Sequence, residues 1–177
     1  MRISSNRFLP VLFLVALLGV SLPGKSALAS TPVSHPSGIG LGLMLGSPTG
    51  LTLKQTLGGA NAWDFGLGVG PGVRLHADYL WGIAQLLSNT SVMTLDLYLG
   101  VGPVLGIARG WCGNSFNPRN ECGDRGAFIG GRVPFGIEAR LTQAPVSFGL
   151  EIAPGLWLGN NFFSGLLDVF LFVRFLL

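Results

Sequence analysis

Charged residues are scarce in this chain. Asp, Glu, Lys and Arg make up 11% of its 177 residues, whereas soluble domains average about 25%. The length is enough for one domain, but the charges are too few to cover an ordinary surface. We therefore expect part of the surface to meet something other than water.

Long apolar runs are also missing, except near the N-terminus. That run, 8–20, is shorter than the roughly 20 residues that a membrane-spanning helix needs. It follows two arginines and precedes a small-x-small pattern that ends at Ala29, which is where signal peptidase is expected to cut. We predict a cleaved secretory signal peptide over 1–29 and a short periplasmic leader over 30–37.

The chain lacks an excess of either charge once this segment is removed. Cleavage takes away Arg2, Arg7 and Lys25, and it leaves eight basic residues against eight acidic ones. The mature protein is then formally neutral, so the basic pI of the full chain, about 9.3, is no sign of nucleic-acid binding. We predict no nucleic-acid partner.

Cysteine and histidine are limited to two residues each. Cys112 and Cys122 lie in the polar segment 109–126 of a chain that we expect to be exported to an oxidising compartment, which favours a disulfide between them. Zinc is the alternative, but it needs four ligands, and neither His35 nor His76 is placed to complete them. We predict no metal site and no cofactor.

Glycine, by contrast, is abundant, with 28 residues, and many of them alternate with large aliphatic residues. This period of two is typical of β-strands, whose successive side chains point to opposite faces. Eight segments show it: 38–46, 51–57, 63–70, 73–81, 93–101, 132–141, 146–153 and 167–175. Their lengths approach the nine to eleven residues, roughly, of a tilted membrane-spanning strand. We predict an all-β fold over 38–177, an eight-stranded antiparallel up-and-down transmembrane β-barrel.

One face of these strands carries nearly all the charge. The predicted interior ion cluster consists of Lys54, Asp64, Arg74, His76, Asp78, Asp96, Arg132, Glu138, Arg140, Glu151, Asp168 and Arg174. Buried charges are tolerated when they pair, and six acidic and five basic residues allow pairing. A soluble barrel would place its charges outside, and a glycine-rich outer face would then have little polar cover. The pattern therefore favours a charged interior and a lipid-facing aliphatic exterior.

The connections and aromatic residues fit a transmembrane barrel. Segment 109–126 is the longest predicted connection and falls on the outer side, where such barrels carry long loops. We also predict loops over 82–92 and 155–165 and a bulge at Pro103. An interfacial aromatic girdle is predicted at the periplasmic strand ends, formed by Trp63, Tyr79, Trp81 and Phe175. Trp157, Phe162 and Phe163 are predicted at the outer rim.

A catalytic site is the alternative interpretation of the charged face. His76 and Asp78 could act as a base and its orienting carboxylate, with Ser147 as nucleophile. The Cα atoms of His76 and Asp78 would be about 6 to 7 Å apart along a strand. Nothing in the sequence brings Ser147 beside these two residues. We predict an internal brace and no enzyme. A lipid-modifying outer-membrane barrel enzyme and a small gated channel stay as alternatives.

Five segments, 38–46, 48–51, 75–81, 132–136 and 150–155, together resemble the small outer-membrane β-barrel family of unknown function first noted in spirochaetes. The resemblance implies an eight-stranded barrel comparable in size to OmpA and OmpX, with no catalytic residues. Outer-membrane barrels usually end on an aromatic residue, whereas this chain ends with two leucines after Phe175. That residue is the nearest substitute signal for the barrel-assembly machinery.

The expected protein is therefore a monomer in the outer membrane of a Gram-negative-type cell envelope. Eight strands enclose an interior just wide enough for side chains to fill, which makes an open diffusion pore unexpected. The expected role is structural or interactive, in which the barrel presents the disulfide-bridged loop at the surface. The expected partners are the outer-membrane lipids and, during biogenesis, the barrel-assembly machinery.

Overall fold

The computed structural model describes residues 33–70, 72–87, 92–108, 112–114, 117–122, 126–159 and 162–177. The predicted signal peptide, 1–29, lies outside these ranges. Within them the chain is strand, turn and bend, and no helix there is long and apolar enough to cross a membrane, a finding that does not bear on strands.

The structure has eleven strands. They are β1 (Gly38–Ser47), β2 (Thr49–Thr56), β3 (Asn61–Val69), β4 (Gly72–Leu87), β5 (Met93–Ala108), β6 (Cys112–Asn114), β7 (Asn117–Cys122), β8 (Gly126–Arg132), β9 (Phe135–Leu141), β10 (Val146–Gly159) and β11 (Phe162–Leu176).

These strands form a closed antiparallel barrel. Strand β1 pairs with β2 on one side and with β11 on the other, so the sheet has no free edge. Strands β8 and β9 lie end to end between β5 and β10 and together make one of eight wall strands. The predicted eight-stranded antiparallel barrel is confirmed, and each wall strand neighbours the one before it in the chain. Strands β6 and β7 form a separate two-stranded sheet.

The barrel has two distinct ends. We call the end with connections 57–60, 88–92 and 142–145 the turn end. The opposite end carries the connections between β1 and β2, between β3 and β4, between β5 and β8 (109–125) and between β10 and β11, and we call it the loop end. Strands β4 and β5 extend furthest at the turn end, whereas β10 and β11 extend at the loop end.

Several strands are longer than predicted. Strand β4 continues to Leu87 through much of the predicted loop 82–92, and strands β10 and β11 occupy most of the predicted loop 155–165. The predicted loops over 82–92 and 155–165 were therefore wrong, because most of these residues belong to strands. In β4 the cause is two register shifts, between Gly82 and Ala84 and between Gln85 and Leu87, which interrupt the alternation of side chains that the sequence pattern depends on.

The predicted bulge at Pro103 was wrong. The pairs His76–Val104 and Tyr79–Val101, on either side of it, keep one register. The sixth wall strand is interrupted instead at Val133 and Pro134, between β8 and β9. The Val133 N–H donates to the Pro154 carbonyl at 2.8 Å, and the Pro134 carbonyl accepts from the Gly100 N–H at 2.8 Å. The wall therefore stays hydrogen-bonded across the interruption.

The interior is packed with apolar as well as charged side chains. An apolar cluster inside it consists of Met44, Ala62, Leu80, Tyr98, Phe170 and Phe172. Glycine makes room for two of the interior rings, because a Cβ at Gly66 would overlap the His76 ring and a Cβ at Gly136 would overlap the Tyr98 ring. The glycines that alternate along the strands thus let bulky residues of neighbouring strands fill a narrow barrel.

Candidate functional site

The charged interior is the candidate site, and the structure buries almost all of its predicted members. Eleven of the twelve residues predicted from the sequence are buried, and Arg140 is half-buried. Wherever burial is described, no Asp, Glu, Lys or Arg is exposed. Arg132 and Arg174 lie deepest among the cations, with 1% and 0% of their surface exposed. The charges therefore have to satisfy each other inside the barrel.

Arg132 organises the first group of charges. Its guanidinium donates from Nε to Asp78 Oδ2 at 3.0 Å, from Nη2 to Glu151 Oε1 at 2.7 Å and from Nη1 to Asp168 Oδ2 at 3.1 Å. Arg74 Nη1 lies 2.8 Å from Asp168 Oδ1. We call these five residues the Arg132 cluster. They come from four wall strands, so the cluster ties distant parts of the barrel wall together.

Arg174 organises the second group. Its Nη2 donates to Asp64 Oδ2 at 2.7 Å and to Thr52 Oγ1 at 2.9 Å, and its guanidinium lies 3.9 Å from the centre of the Phe172 ring. Lys54 Nζ donates to Glu138 Oε2 at 2.5 Å, and Arg174 Nη1 lies 3.9 Å from the other oxygen of Glu138. These six residues brace the part of the interior nearer the turn end.

The two clusters are linked by hydrogen bonds and by a cation lying over an aromatic ring. Tyr98 donates its hydroxyl to Glu151 of the Arg132 cluster at 2.8 Å. The same ring lies under Lys54, whose Nζ is 4.9 Å from the ring centre. Because it contacts both groups, Tyr98 joins them into one network. Charge-assisted hydrogen bonds and cation–π contacts both strengthen when water is excluded.

The segment 33–37 closes the turn end of the barrel. His35 Nε2 lies 2.7 Å from Asp96 Oδ2, and Gln85 Nε2 donates to the other oxygen of Asp96 at 3.1 Å. The backbones of His35 and Gly59 exchange two hydrogen bonds of 3.0 Å, and Val33 is 7% exposed. We call this segment the turn-end plug. His35 belongs to the predicted leader 30–37, but its side chain pairs with a residue 61 positions away, which no local pattern could reveal.

The structure does not assemble the hydrolytic site that was considered from the sequence. His76 Nε2 lies 3.9 Å from Asp78 Oδ2, and neither ring nitrogen has a hydrogen-bond partner among the described residues. The Ser147 hydroxyl has none there either, so the base–nucleophile contact that such chemistry needs is not formed. In the described part of the chain, no group of three or more His, Cys, Asp or Glu could hold a metal ion.

Three of the four aromatic residues predicted at one strand end, Trp63, Tyr79 and Trp81, lie together on the outer surface. The Trp63 and Tyr79 rings are 5.1 Å apart, and the Tyr79 and Trp81 rings are 5.2 Å apart, both edge to face. Trp63, Trp81 and Phe175 expose 38%, 42% and 52% of their surface near the turn end. In membrane proteins, Trp and Tyr are enriched at both membrane–water interfaces.

Trp157 is not at the outer rim. Its ring is half-buried and packs on Phe128 at a centroid distance of 5.2 Å, inside the loop end of the barrel. The prediction for Trp157 was therefore wrong, because β10 continues through the expected loop and turns this position inward. The side chains of Phe162 and Phe163, predicted at the same rim, lie outside the described part of the structure.

The two cysteines are register partners. Cys112 on β6 pairs with Cys122 on β7 in the separate two-stranded sheet. Opposite residues of an antiparallel pair have Cα atoms about 4.5 to 5.5 Å apart, which is compatible with a disulfide. The side chains of both residues lie outside the described part of the structure, and the disulfide stays a prediction.

Comparison with known protein families, curated proteins and solved structures finds no match to this chain. The resemblance to the outer-membrane family first noted in spirochaetes therefore stays a prediction.

Proposed function

We propose that this protein is an integral outer-membrane β-barrel with a closed, charge-filled interior. One observation carries the proposal: every charged side chain whose burial is described lies inside the barrel or, for Arg140, at its edge. The outer face of all eight wall strands is formed mainly by Leu, Val, Ile and aromatic residues. Leu43, Leu171 and Val173, for example, expose 55%, 59% and 53% of their surface.

The size of this apolar surface supports a lipid environment. The largest apolar patch on a soluble monomer is typically about 300–600 Å², whereas this surface surrounds the whole barrel. A closed barrel also satisfies every strand edge, which is the condition that a β-structure must meet to cross a bilayer. Soluble barrels that assemble with identical copies would also cover apolar surface, but only where the copies touch. Such an assembly would not need an uncharged outer face on every strand.

The differences between the two ends of the barrel support one orientation of the barrel in the membrane. The aromatic cluster of Trp63, Tyr79 and Trp81 lies near the turn end, whose connections 57–60, 88–92 and 142–145 all have four or five residues, whereas three of the four loop-end connections have one or two. The longest connection, 109–125, leaves the loop end. In outer-membrane barrels the short turns are periplasmic and the long loops extracellular. We place the turn end in the periplasm and the loop end outside.

The packed interior supports a structural or surface-interaction role. Charges and rings fill the barrel at the level of Arg132 and Arg174, so the protein would anchor in the membrane and present segment 109–125 outside. A disulfide between Cys112 and Cys122 would keep that segment compact, with a contribution of roughly 3 kcal/mol from chain entropy. The expected partners are the surrounding lipids and, during insertion, the barrel-assembly machinery. A monomer suffices for this role.

Membrane insertion tests the proposal. The wild-type chain, expressed with its own leader in a Gram-negative host, should fractionate with outer membranes and migrate on gels in a heat-modifiable way. Ala77→Arg puts a charge on the outer face and should weaken insertion by about 2–4 kcal/mol if that position is at mid-bilayer. Ala77→Leu, the matched control, should insert normally. Normal assembly of the arginine variant, or a soluble wild-type protein, would overturn the proposal.

A further inference from the structure

A groove with a volume of about 370 Å³ crosses the outer surface of the barrel. One wall is formed by Leu53, Phe65, Ala77 and Pro103, which occupy neighbouring strands from β2 to β5. The volume is within the range of small-molecule pockets, about 300–1,000 Å³. We call it the outer groove.

The other wall is a parallel row two residues further along each strand. It consists of Leu51, Leu67, Leu75 and Leu105, which are register partners from strand to strand. The groove therefore runs along the hydrogen-bonding direction, across the strands, and it reaches Leu41 on β1. Five strands with spacings of about 4.8 Å give it a length of about 19 Å.

The sequence explains why the groove lies here. Bulky Leu and Phe residues occupy most outer positions, but Ala77 on β4 is followed in the same row by Pro103 on β5 and by Gly131 on β8. These small residues lower one wall. The floor is the barrel wall itself at Gly66, whose inner side touches the His76 ring.

The chemistry of the groove limits what can occupy it. Its walls carry no charged side chain, and the backbone groups beneath it already pair within the sheet. A peptide would leave its own N–H and C=O groups unpaired there, which is costly where water is excluded. A long, narrow, flexible hydrocarbon has no such groups and matches the shape.

We propose that the outer groove holds one acyl chain of a membrane lipid, which lies across strands β1–β5 and is retained more firmly than the surrounding lipid. The inference rests on the proposed membrane location, because that location supplies the lipid. It goes beyond that location in assigning a defined binding position to one side of the barrel. Strand β11, which adjoins β1 and lies on the far side of the barrel from Ala77, contributes no residue to the groove lining.

Retention of lipid during purification tests the inference. The barrel is extracted from membranes with its lipid in polymer-bounded discs, transferred to mild detergent and analysed by intact-complex mass spectrometry. Wild type should retain one phospholipid. Ala77→Phe fills the groove and should lower retention by about tenfold, because roughly two methylene contacts are lost. Leu171→Phe, the control on the opposite face, should retain as much as wild type.

A second measurement does not depend on the Ala77 variant. Wild type is reconstituted in phosphatidylethanolamine and phosphatidylglycerol vesicles that contain a phospholipid with a photoreactive acyl chain. Crosslinks should concentrate on the peptide that spans Phe65 and Leu75, relative to the peptide around Leu171. Uniform labelling of both faces would overturn the groove as a binding position.

The outcomes separate the two proposals. A wild-type protein that inserts but retains no lipid, or one that loses it equally in Ala77→Phe and Leu171→Phe, overturns the acyl-chain site and leaves the membrane proposal standing. A retained molecule without an acyl chain overturns it as well. A wild-type protein that does not insert overturns the membrane proposal, on which the site depends.

Discussion

Arg132 holds three carboxylates of the interior in place. Burying a charge costs several kcal/mol unless it is paired with good geometry, and Asp78, Glu151 and Asp168 each receive a hydrogen bond from this one guanidinium. Arg is suited to this role because its planar group offers five donors in fixed directions. The residue acts as a hub, so its loss leaves several acidic groups unpaired at once.

We therefore expect Arg132→Ala to destabilise the barrel by about 3–5 kcal/mol. The measurement is the urea midpoint of unfolding in phospholipid vesicles, followed by heat-modifiable migration. Arg140→Ala is the control, since that side chain is 14% exposed and its nearest carboxylate oxygens lie at 3.5 and 3.9 Å, and it should cost about 1 kcal/mol or less. Equal losses in both variants would contradict the hub role of Arg132.

Gly66 and His76 form a second pair that can be tested at single residues. A Cβ at Gly66 would overlap the His76 ring, so Gly66→Ala should destabilise the barrel by about 1–3 kcal/mol. The double variant Gly66→Ala/His76→Ala lacks the ring, so Gly66→Ala should cost much less stability in the His76→Ala background than in wild type. A double-mutant cycle in the same urea assay would measure this difference. Gly70→Ala, where nothing lies within 4 Å of the added Cβ, should be neutral. A purely additive double variant would argue against the overlap.

The strands as elements were partly predictable. Alternation identifies β1 to β3 to within two residues at each end, because large apolar residues there alternate with small or polar ones. It fails in β4 beyond Trp81, where two register shifts alter which face a side chain takes. It also misses β8, 126–132, whose residues lie beside the polar segment and give little contrast. Local patterns thus find the strands, but bulges and pairing partners decide where they end.

The turn-end plug is an element that a side-chain hydrogen bond between His35 and Asp96 connects to the barrel wall. His35→Ala removes the contact with Asp96, and a hydrogen bond to a charged group contributes about 1.5–3 kcal/mol. Hydrogen exchange at the His35 and Gly59 amides, which carry the backbone bridge, should speed up about tenfold or more in this variant. His76→Ala, which changes the other histidine, should leave exchange in the plug unchanged. Unaltered exchange in His35→Ala would show that Val33 and the backbone suffice.

At the scale of the whole molecule, the sequence predicts which face of a strand each charged residue takes. It does not predict which residue it pairs with. The period of two assigns each charged residue to a face, and the burial of eleven of them matches that assignment. The pairs themselves join positions such as Lys54 and Glu138, or Asp64 and Arg174, which are 84 and 110 residues apart. Barrel closure and the stagger of the strands bring them together, and neither leaves a local trace in the sequence.

The closed interior leads to a prediction about conduction. Arg132, Phe170, Phe172 and Arg174 each expose 2% or less of their surface, and an eight-stranded barrel is just wide enough for such side chains to fill. Wild-type protein inserted into planar bilayers should therefore give no discrete conductance steps. Heat-modifiable migration of the same sample verifies that the barrels are folded. Steps whose number rises with the amount of folded protein would contradict a filled interior and favour the small gated channel, because ions could pass only if the Arg132 cluster opened.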